Sequence, residues 1–245
     1  NTTGQLMAPS GKFEQIELGS ITACGIENSG EAKCWGLNSY GETEPPHRVF
    51  TAVAAGYEHS CGLDSQGKAL CWGNEALGAT DADTSTFTSL SVGFNNSCGI
   101  KQNGRLRCWG RDTALVPITG SFVQVSVDDS KGCAIDADGV ISCWGNTVTP
   151  VGLFQSVSVG PGDICCGVAT DGSLSCWDYA GNTPDGVPTG TFSQVSVGGT
   201  SACALGTDGS SQCWLTQTFW DEGQDMVPDA EFVSLSSGGY HNCGI

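Results

Sequence analysis

Lysine and arginine together number nine against 26 Asp and Glu, and neither basic residue occurs after Lys131. The formal net charge of −17 repels a phosphate backbone and argues against nucleic acid as a partner. No apolar run approaches the roughly 18–20 residues that a membrane-spanning helix needs, so no span is expected. Histidine is scarce, with only His47, His59 and His241. There is no Gly-x-Ser-x-Gly elbow and no His-Glu-x-x-His pair. An enzyme is therefore not expected, and neither is a cofactor. Cys-x-x-Cys pairs are also lacking, which argues against zinc. With 36 Gly and few strong helix formers, long helices are excluded. The chain opens at Asn1 with neither Met nor a leader, the expectation for a mature product or a piece of a longer chain.

What is abundant is cysteine, 14 in 245 residues, and it is periodic. Seven segments open with Phe13, Phe50, Phe87, Phe122, Phe154, Phe192 and Phe232. Apolar residues usually follow three and five positions later, often with Ser between them, which reads as a strand. A cysteine comes about eleven residues after each Phe: Cys24, Cys61, Cys98, Cys133, Cys166, Cys203 and Cys243. In the first six copies a second cysteine follows ten residues on, at Cys34, Cys71, Cys108, Cys143, Cys176 and Cys213, and Trp comes directly after it. The period between first cysteines is 33–40 residues, the range of propeller blades and solenoid repeats.

One unit is legible from residues 98–108. A Cys-led strand and a returning strand flank a polar turn ending in Gly104, a residue free to take the positive φ that a tight turn requires. The two cysteines then face each other at a spacing a disulfide accepts. Each bridge is expected to contribute about 2–3 kcal/mol on a chain-entropy basis, offsetting the small core of each unit. The Trp after the second cysteine points to the opposite face of its strand and is expected between neighbouring units. Pro-bearing segments such as Glu44-Pro45-Pro46, Val116-Pro117-Ile118 and Met226-Val227-Pro228 join the units, the last as a candidate fourth strand. Radial closure shelters strand edges, so the expectation is an all-β, seven-bladed β-propeller spanning 1–245 as one domain, with one disulfide per blade hairpin. A linear solenoid is the alternative.

The segment Ala55-Gly56-Tyr57-Glu58-His59-Ser60-Cys61-Gly62-Leu63, then Gly67, then Cys71-Trp72-Gly73 resembles a repeat of the regulator-of-chromosome-condensation (RCC1-like) propellers. Gly239-Tyr240-His241-Asn242-Cys243 echoes it, and so does the loop Trp35-Gly36-Leu37-Asn38-Ser39-Tyr40-Gly41. The resemblance covers nearly the whole chain and implies a seven-bladed propeller. The paired cysteines are not part of the nuclear pattern and resemble secreted and cell-surface relatives, implying an extracellular or surface location. There is no long insertion to act as an exchange-factor wedge, and the charge opposes chromatin.

The ends leave two closures open. Residues 1–12 resemble the segment after a Trp-Gly, while the last copy stops at Cys243-Gly244-Ile245, before its hairpin turn. Either the N-terminal segment helps close the last blade, or residues beyond this sequence or another copy fill the gap. Cys165 and Cys243 are left without an assigned partner. Asn1 and Asn95 begin N-glycosylation triplets. Asp136-Ala137-Asp138-Gly139 faintly resembles a calcium loop but lacks its remaining ligands, and the expectation is that it is a turn. Lys101, Arg105, Arg107 and Arg111 form the one basic cluster, which could dock on an acidic patch of a second copy and build head-to-tail assemblies. Phe219, Trp220 and Tyr179 are the candidate exposed aromatics for recognition. The functional expectation is an extracellular structural or interaction scaffold, with self-association or a protein partner. The alternative is a recognition module for protein or carbohydrate, resembling an inhibitor or a receptor ectodomain.

Overall fold

The computed structural model describes residues 4–111, 119–216, 223–228 and 230–245, the side chain of Leu77 apart. Asn1, Phe219, Trp220 and the segment Val116-Pro117-Ile118 lie outside the described residues. Strands fall into seven sheets, each an antiparallel meander in chain order. The first three blades are β1 (Phe13–Leu18), β2 (Thr22–Glu27) and β3 (Ala32–Gly36); β4 (Phe50–Ala55), β5 (His59–Asp64) and β6 (Ala69–Gly73); and β7 (Phe87–Val92), β8 (Asn96–Lys101) and β9 (Leu106–Gly110). The next three are β10 (Phe122–Asp128), β11 (Lys131–Asp136) and β12 (Ile141–Trp144); β13 (Phe154–Val159), β14 (Cys165–Ala169) and β15 (Leu174–Trp177); and β16 (Phe192–Val197), β17 (Ser201–Gly206) and β18 (Ser211–Leu215). The seventh has two strands, β19 (Leu235–Ser237) and β20 (Asn242–Gly244). The architecture is the all-β, seven-bladed propeller.

One expectation is corrected. The Pro-bearing connections add no fourth strand among the described residues. Three of them make only a single bridge, such as Glu31 to Val49, just before the next blade's Phe. Each of the six hairpins with two cysteines carries its bridge, and Cys165 and Cys243 stand outside them.

The three-residue gap from Phe to the next core residue has a local cause. In each three-stranded blade the register shifts just after the Phe, as between Phe50 and Ala52. A bulge of this kind inserts one residue and brings Phe50 and Val53 onto one face. The Phe ring then covers the first residue after the first cysteine. A Cβ on Gly62 would meet the Phe50 ring at 2.5 Å, so that position is Gly in the second blade for want of space. At the hairpin tip, Gly67 takes φ +76° and its carbonyl accepts the Phe87 N–H at 2.7 Å. The same turn-to-Phe bond recurs at each of the six junctions, ending with Phe232 to Gly209 at 2.9 Å.

In the six bridges the paired Cα atoms are 4.0–4.1 Å apart. The bridge of one blade packs against the Phe and Trp face of the next. Cys24 and Ile26 lie under Phe50, Val53 and Trp72, and Cys133, Ile135 and Ile141 lie under Phe154, Val157 and Trp177. The core is therefore a set of inter-blade layers and not one central mass. The Trp ring also tilts against its own blade's Phe, with Phe50 and Trp72 centroids 5.7 Å apart. Its indole N–H leaves the layer to cap the preceding loop: Trp35 donates to the Gln5 carbonyl, Trp72 to that of Glu42 and Trp109 to that of Ala79, each at 3.0 Å.

Blade seven closes on blade one. Leu18 N–H donates to Ser236 Oγ at 2.9 Å, Gly239 N–H reaches the Ser20 carbonyl at 3.1 Å, and Cys243 packs beside the Leu18, Ala23 and Trp35 cluster. Residues 4–12 form no strand.

Replacing both Cys133 and Cys143 by Ala is expected to lower the unfolding free energy by at least about 2–3 kcal/mol. Urea unfolding under non-reducing conditions measures it, with the oxidised wild type as the reference.

Candidate functional site at the channel mouth

The first strand of each blade lines a central channel of about 550 Å³. The serine between the apolar positions of this strand has a definite task. Ser91, Ser126, Ser158, Ser196 and Ser236 accept the backbone N–H groups of Val127, Val159, Val197, Ser237 and Leu18 in the next blade, at 2.9–3.0 Å. Three glutamines add two-point links. Gln15 both donates to the Val53 carbonyl and accepts its N–H, and Gln124 and Gln194 do the same with Val157 and Leu235. Satisfying first-strand edges with side chains lets neighbouring blades diverge without orphaned backbone groups.

In blade one the serine position is Glu17, which accepts from Ser236 Oγ at 3.3 Å. Burial pushes its carboxyl up to about 7, although hydrogen bonds from Gln15 and Ser236 pull the other way. Asp128 stands at the channel end of β10, and burial raises it to about 6 while the nearby Lys131 ammonium opposes the shift. Lys131 is itself buried and donates to the Gly162 carbonyl. The residue two before the first cysteine makes such a cross-blade contact in several blades: Thr22 donates to the Gly56 carbonyl, Asn96 to that of Asp129, and His59 Nε2 lies 2.8 Å from Ser97 Oγ. Burial lowers His59 to about 4, so it is a neutral structural ring at physiological pH. His241 occupies the same position, but Ala23 stands where the His59 ring finds Ser97, and neither of its nitrogens has a partner.

The loops between first and second strands surround the channel mouth. Three of them present aromatic rings: Tyr57, Phe94 and Tyr240. Tyr57 and Phe94 stack with centroids 4.2 Å apart, and Phe94 and Tyr240 are 38% and 56% exposed. With Glu17, Asp128 and the channel serines they form an aromatic rim around an acidic, hydroxyl-lined hole. Exposed rings on a rigid frame make this a surface suited to contact. The sequence signal for it is variation: the residue four before the first cysteine is Ser20, Tyr57, Phe94, Asp129, Gly162, Gly199 or Gly239, and the next one, where Tyr240 stands, differs in every copy.

The other candidate residues are dispersed. Tyr179 is 55% exposed in the loop after the fifth bridge, and Asn95 is half-buried beside Phe94. Ser97, the hydroxyl of the Asn95 triplet, is fully buried. The basic cluster is in part already satisfied, since Asp83 lies 3.3 Å from both Lys101 and Arg107. Asp136 accepts the N–H groups of Asp138 and Val140, so its carboxylate builds the turn. Among the described residues no group of three His, Cys, Asp or Glu side chains could hold a metal ion. Cys165 is buried and unbonded, with its thiol pushed up by burial, while Cys243 is half-buried.

The sequence profile of the Regulator of chromosome condensation (RCC1) repeat matches residues 50–78 and 87–114, the second and third blades. No curated protein sequence matches the chain. Solved structures do. The CRINKLY WD40 ectodomain of the Arabidopsis thaliana receptor kinase ACR4 is similar at 24% identity and TM-score 0.77, over 96% of this chain and 95% of that one. The entire ectodomain of the Physcomitrella patens receptor kinase CR4 is similar at 26% identity and TM-score 0.74, over 86% of this chain and 64% of that one. Prp20p from Saccharomyces cerevisiae, a protein with binding properties towards Gsp1p and histones, is similar at 13% identity and TM-score 0.74. The second and third blades thus match the RCC1 repeat, within a propeller whose first six blades carry hairpin disulfides.

Two measurements probe the site. Glu17 has a carboxyl pKa of about 7 in the fold against 4.5 unfolded, so between these values the native state holds the extra proton. Its contribution to stability is complete below pH 4.5 and is lost as pH rises to about 7. Glu17→Gln is expected to raise the melting temperature at pH 8, by an amount worth about 1–3 kcal/mol with channel water screening part of the effect, and to leave it unchanged near pH 4. In thiol labelling of the native protein, Cys243 is expected to react and Cys165 to react only in denaturant.

Proposed function

We propose that this chain is an extracellular binding scaffold that contacts a protein partner through the channel-mouth face. The observation that carries this reading is the aromatic rim of Tyr57, Phe94 and Tyr240 around the acidic channel. Exposed aromatic side chains on a rigid frame are the usual anchors of protein interfaces. Six hairpin disulfides favour an oxidising compartment, and similarity to two receptor-kinase ectodomains points the same way. The function in this reading is recognition of the partner by this face.

Head-to-tail self-association through Lys101, Arg105, Arg107 and Arg111 is the weaker reading. Asp83 already engages two of these four residues, which reduces the charge left to attract an acidic neighbour.

Screening the purified protein on protein and glycan arrays tests the proposal. Saturable binding to a protein is expected, weakened about 10- to 100-fold by Tyr57→Ala or Phe94→Ala, the range of an interface hot spot. Tyr179→Ala, on a separate loop, should leave it unchanged. Binding that survives both rim substitutions, or that is confined to glycans, would remove this reading.

A further inference from the structure

Two channel positions break the repeat, and both do so with a carboxyl. At the first, five blades carry Ser and the second carries Ala54, while blade one carries Glu17. At the other, two residues further along the strand, six blades carry Gly and blade four carries Asp128. The packed layers call for neither exchange. A serine at the first position already links neighbouring blades, as Ser126 does with the Val159 N–H at 2.9 Å, and burial disfavours both carboxylates. Asp128 is followed by Asp129 at φ +42°, the one residue other than Gly with a positive φ among the described residues. Departures that the fold disfavours, in an otherwise strict repeat, mark places that serve something besides stability.

The two carboxyls share one space. Glu17 and Asp128 are the two charged side chains among the described residues lining the channel of about 550 Å³, a volume in the range of ligand pockets. They belong to blades one and four, on opposite sides of the ring. Two residues of strand separate their levels, about 7 Å at the rise of a β-strand, with Asp128 at the mouth and Glu17 below it. Glu17 accepts from Gln15 at 3.4 Å and from Ser236 at 3.3 Å but forms no ion pair among the described residues. Lys131 stands near Asp128, and its ammonium is already held by the Gly162 carbonyl. Two more hydroxyls of the lining, those of Ser89 and Ser237, are buried without partners, Ser237 at 7% exposure. Above this space the rim is divided. Tyr240, Tyr57 and Phe94 come from blades seven, two and three, which form one arc with blade one, while Asp129 and Asp163 are exposed on blades four and five.

We propose that the channel is a socket for one basic side chain, a lysine or arginine at the tip of a loop of the partner protein. This rests on the channel-mouth reading given above and names the chemistry that the partner brings. The long apolar stem of such a side chain packs along the aromatic arc, and its charge is attracted to the faces of those rings. Its head passes Asp128 and reaches Glu17, where a carboxylate held away from bulk water accepts charge-assisted hydrogen bonds. Glu17, with no cation of its own, is the deeper anchor, and Asp128, shared with Lys131, is the outer one. The unpartnered hydroxyls of Ser89 and Ser237 are acceptors for the remaining N–H groups. The net charge of −17 steers a basic loop toward the molecule, and the socket gives that attraction a fixed end point.

The probe is N-acetyl-arginine amide, titrated into the intact chain at pH 8, above the values of about 7 and about 6 at which the two carboxyls ionise, and followed by NMR of the rim tyrosines. Saturable millimolar binding is expected. N-acetyl-citrulline amide, which has the same shape without the charge, should bind about ten-fold more weakly or worse, the worth of a charge-assisted hydrogen bond. Glu17→Gln should lose about as much, and its melting temperature at pH 8, expected above that of the wild type, shows that it is folded. Glu31→Gln, on an exposed hairpin turn, should change nothing, which separates the socket from the general attraction of an acidic protein. Equal binding of the arginine and citrulline derivatives, no saturable binding, or full affinity in Glu17→Gln would overturn the socket. A partner found on the arrays that still requires Tyr57 and Phe94 would then leave the rim reading standing. Such a partner should be displaced by the arginine derivative. Binding undiminished at saturation would assign the channel to a free small amine and overturn the loop as its occupant.

Discussion

The structure depends on a layer repeated around the ring, in which the disulfide of one blade is pressed against the Phe and Trp of the next. A three-stranded sheet of short strands buries too little on its own to hold its shape. The bridge addresses this twice. It restricts the unfolded chain, and it offers a compact apolar surface on which the neighbour's aromatic rings rest. Bridge and rings lie on opposite faces of each blade, so every complete blade gives one face to its predecessor and the other to its successor. Such a device works only when the sheets return on themselves, because an open row would leave a bridge uncovered at one end and an aromatic face at the other.

Polar side chains manage what that packing leaves over. First strands converge on the channel and splay apart along the radius, so no ladder runs from blade to blade. Serine and glutamine provide the missing bonds: a hydroxyl accepts one N–H, and an amide both gives and accepts. The buried carboxylate of Glu42 follows the same economy. It accepts the N–H groups of Ser39 and Tyr40, while its carbonyl holds Trp72 and Ser60. Glu17 is the exception in the channel. It brings a carboxyl to a position where five other blades use a neutral hydroxyl and the second uses Ala54, at the seam where the last blade meets the first, and its raised pKa records the cost. Elsewhere the acidic excess is spent locally, since Asp64, Asp171 and Asp208 each hold a turn through backbone N–H groups.

The same frame separates rigid repeat from variable surface. Cysteines, Trp, Phe and turn Gly recur because each meets a neighbour in an adjacent blade. The residues beyond the channel-facing Gly stand at the channel mouth, and there the chain changes from Ser20 to Tyr57 to Phe94 to Asp129. A recognition surface built this way can vary without disturbing the layers beneath it. The seventh blade follows the repeat in its aromatic Phe232 and in its closing contacts with blade one.

Spacing alone was enough to determine the repeat, its seven copies, the pairing of six cysteine couples across hairpins and the placement of Trp between blades. Each of these follows from strand alternation and turn chemistry within some forty residues. Neighbours distant in sequence decided the rest. The bulge after each Phe was hidden, because a three-residue gap reads as irregular until the register with the second strand is known. The serines looked like spacers until Val159 was placed against Ser126. Asp83 drew Lys101 and Arg107 inward from a cluster that reads as a free basic face.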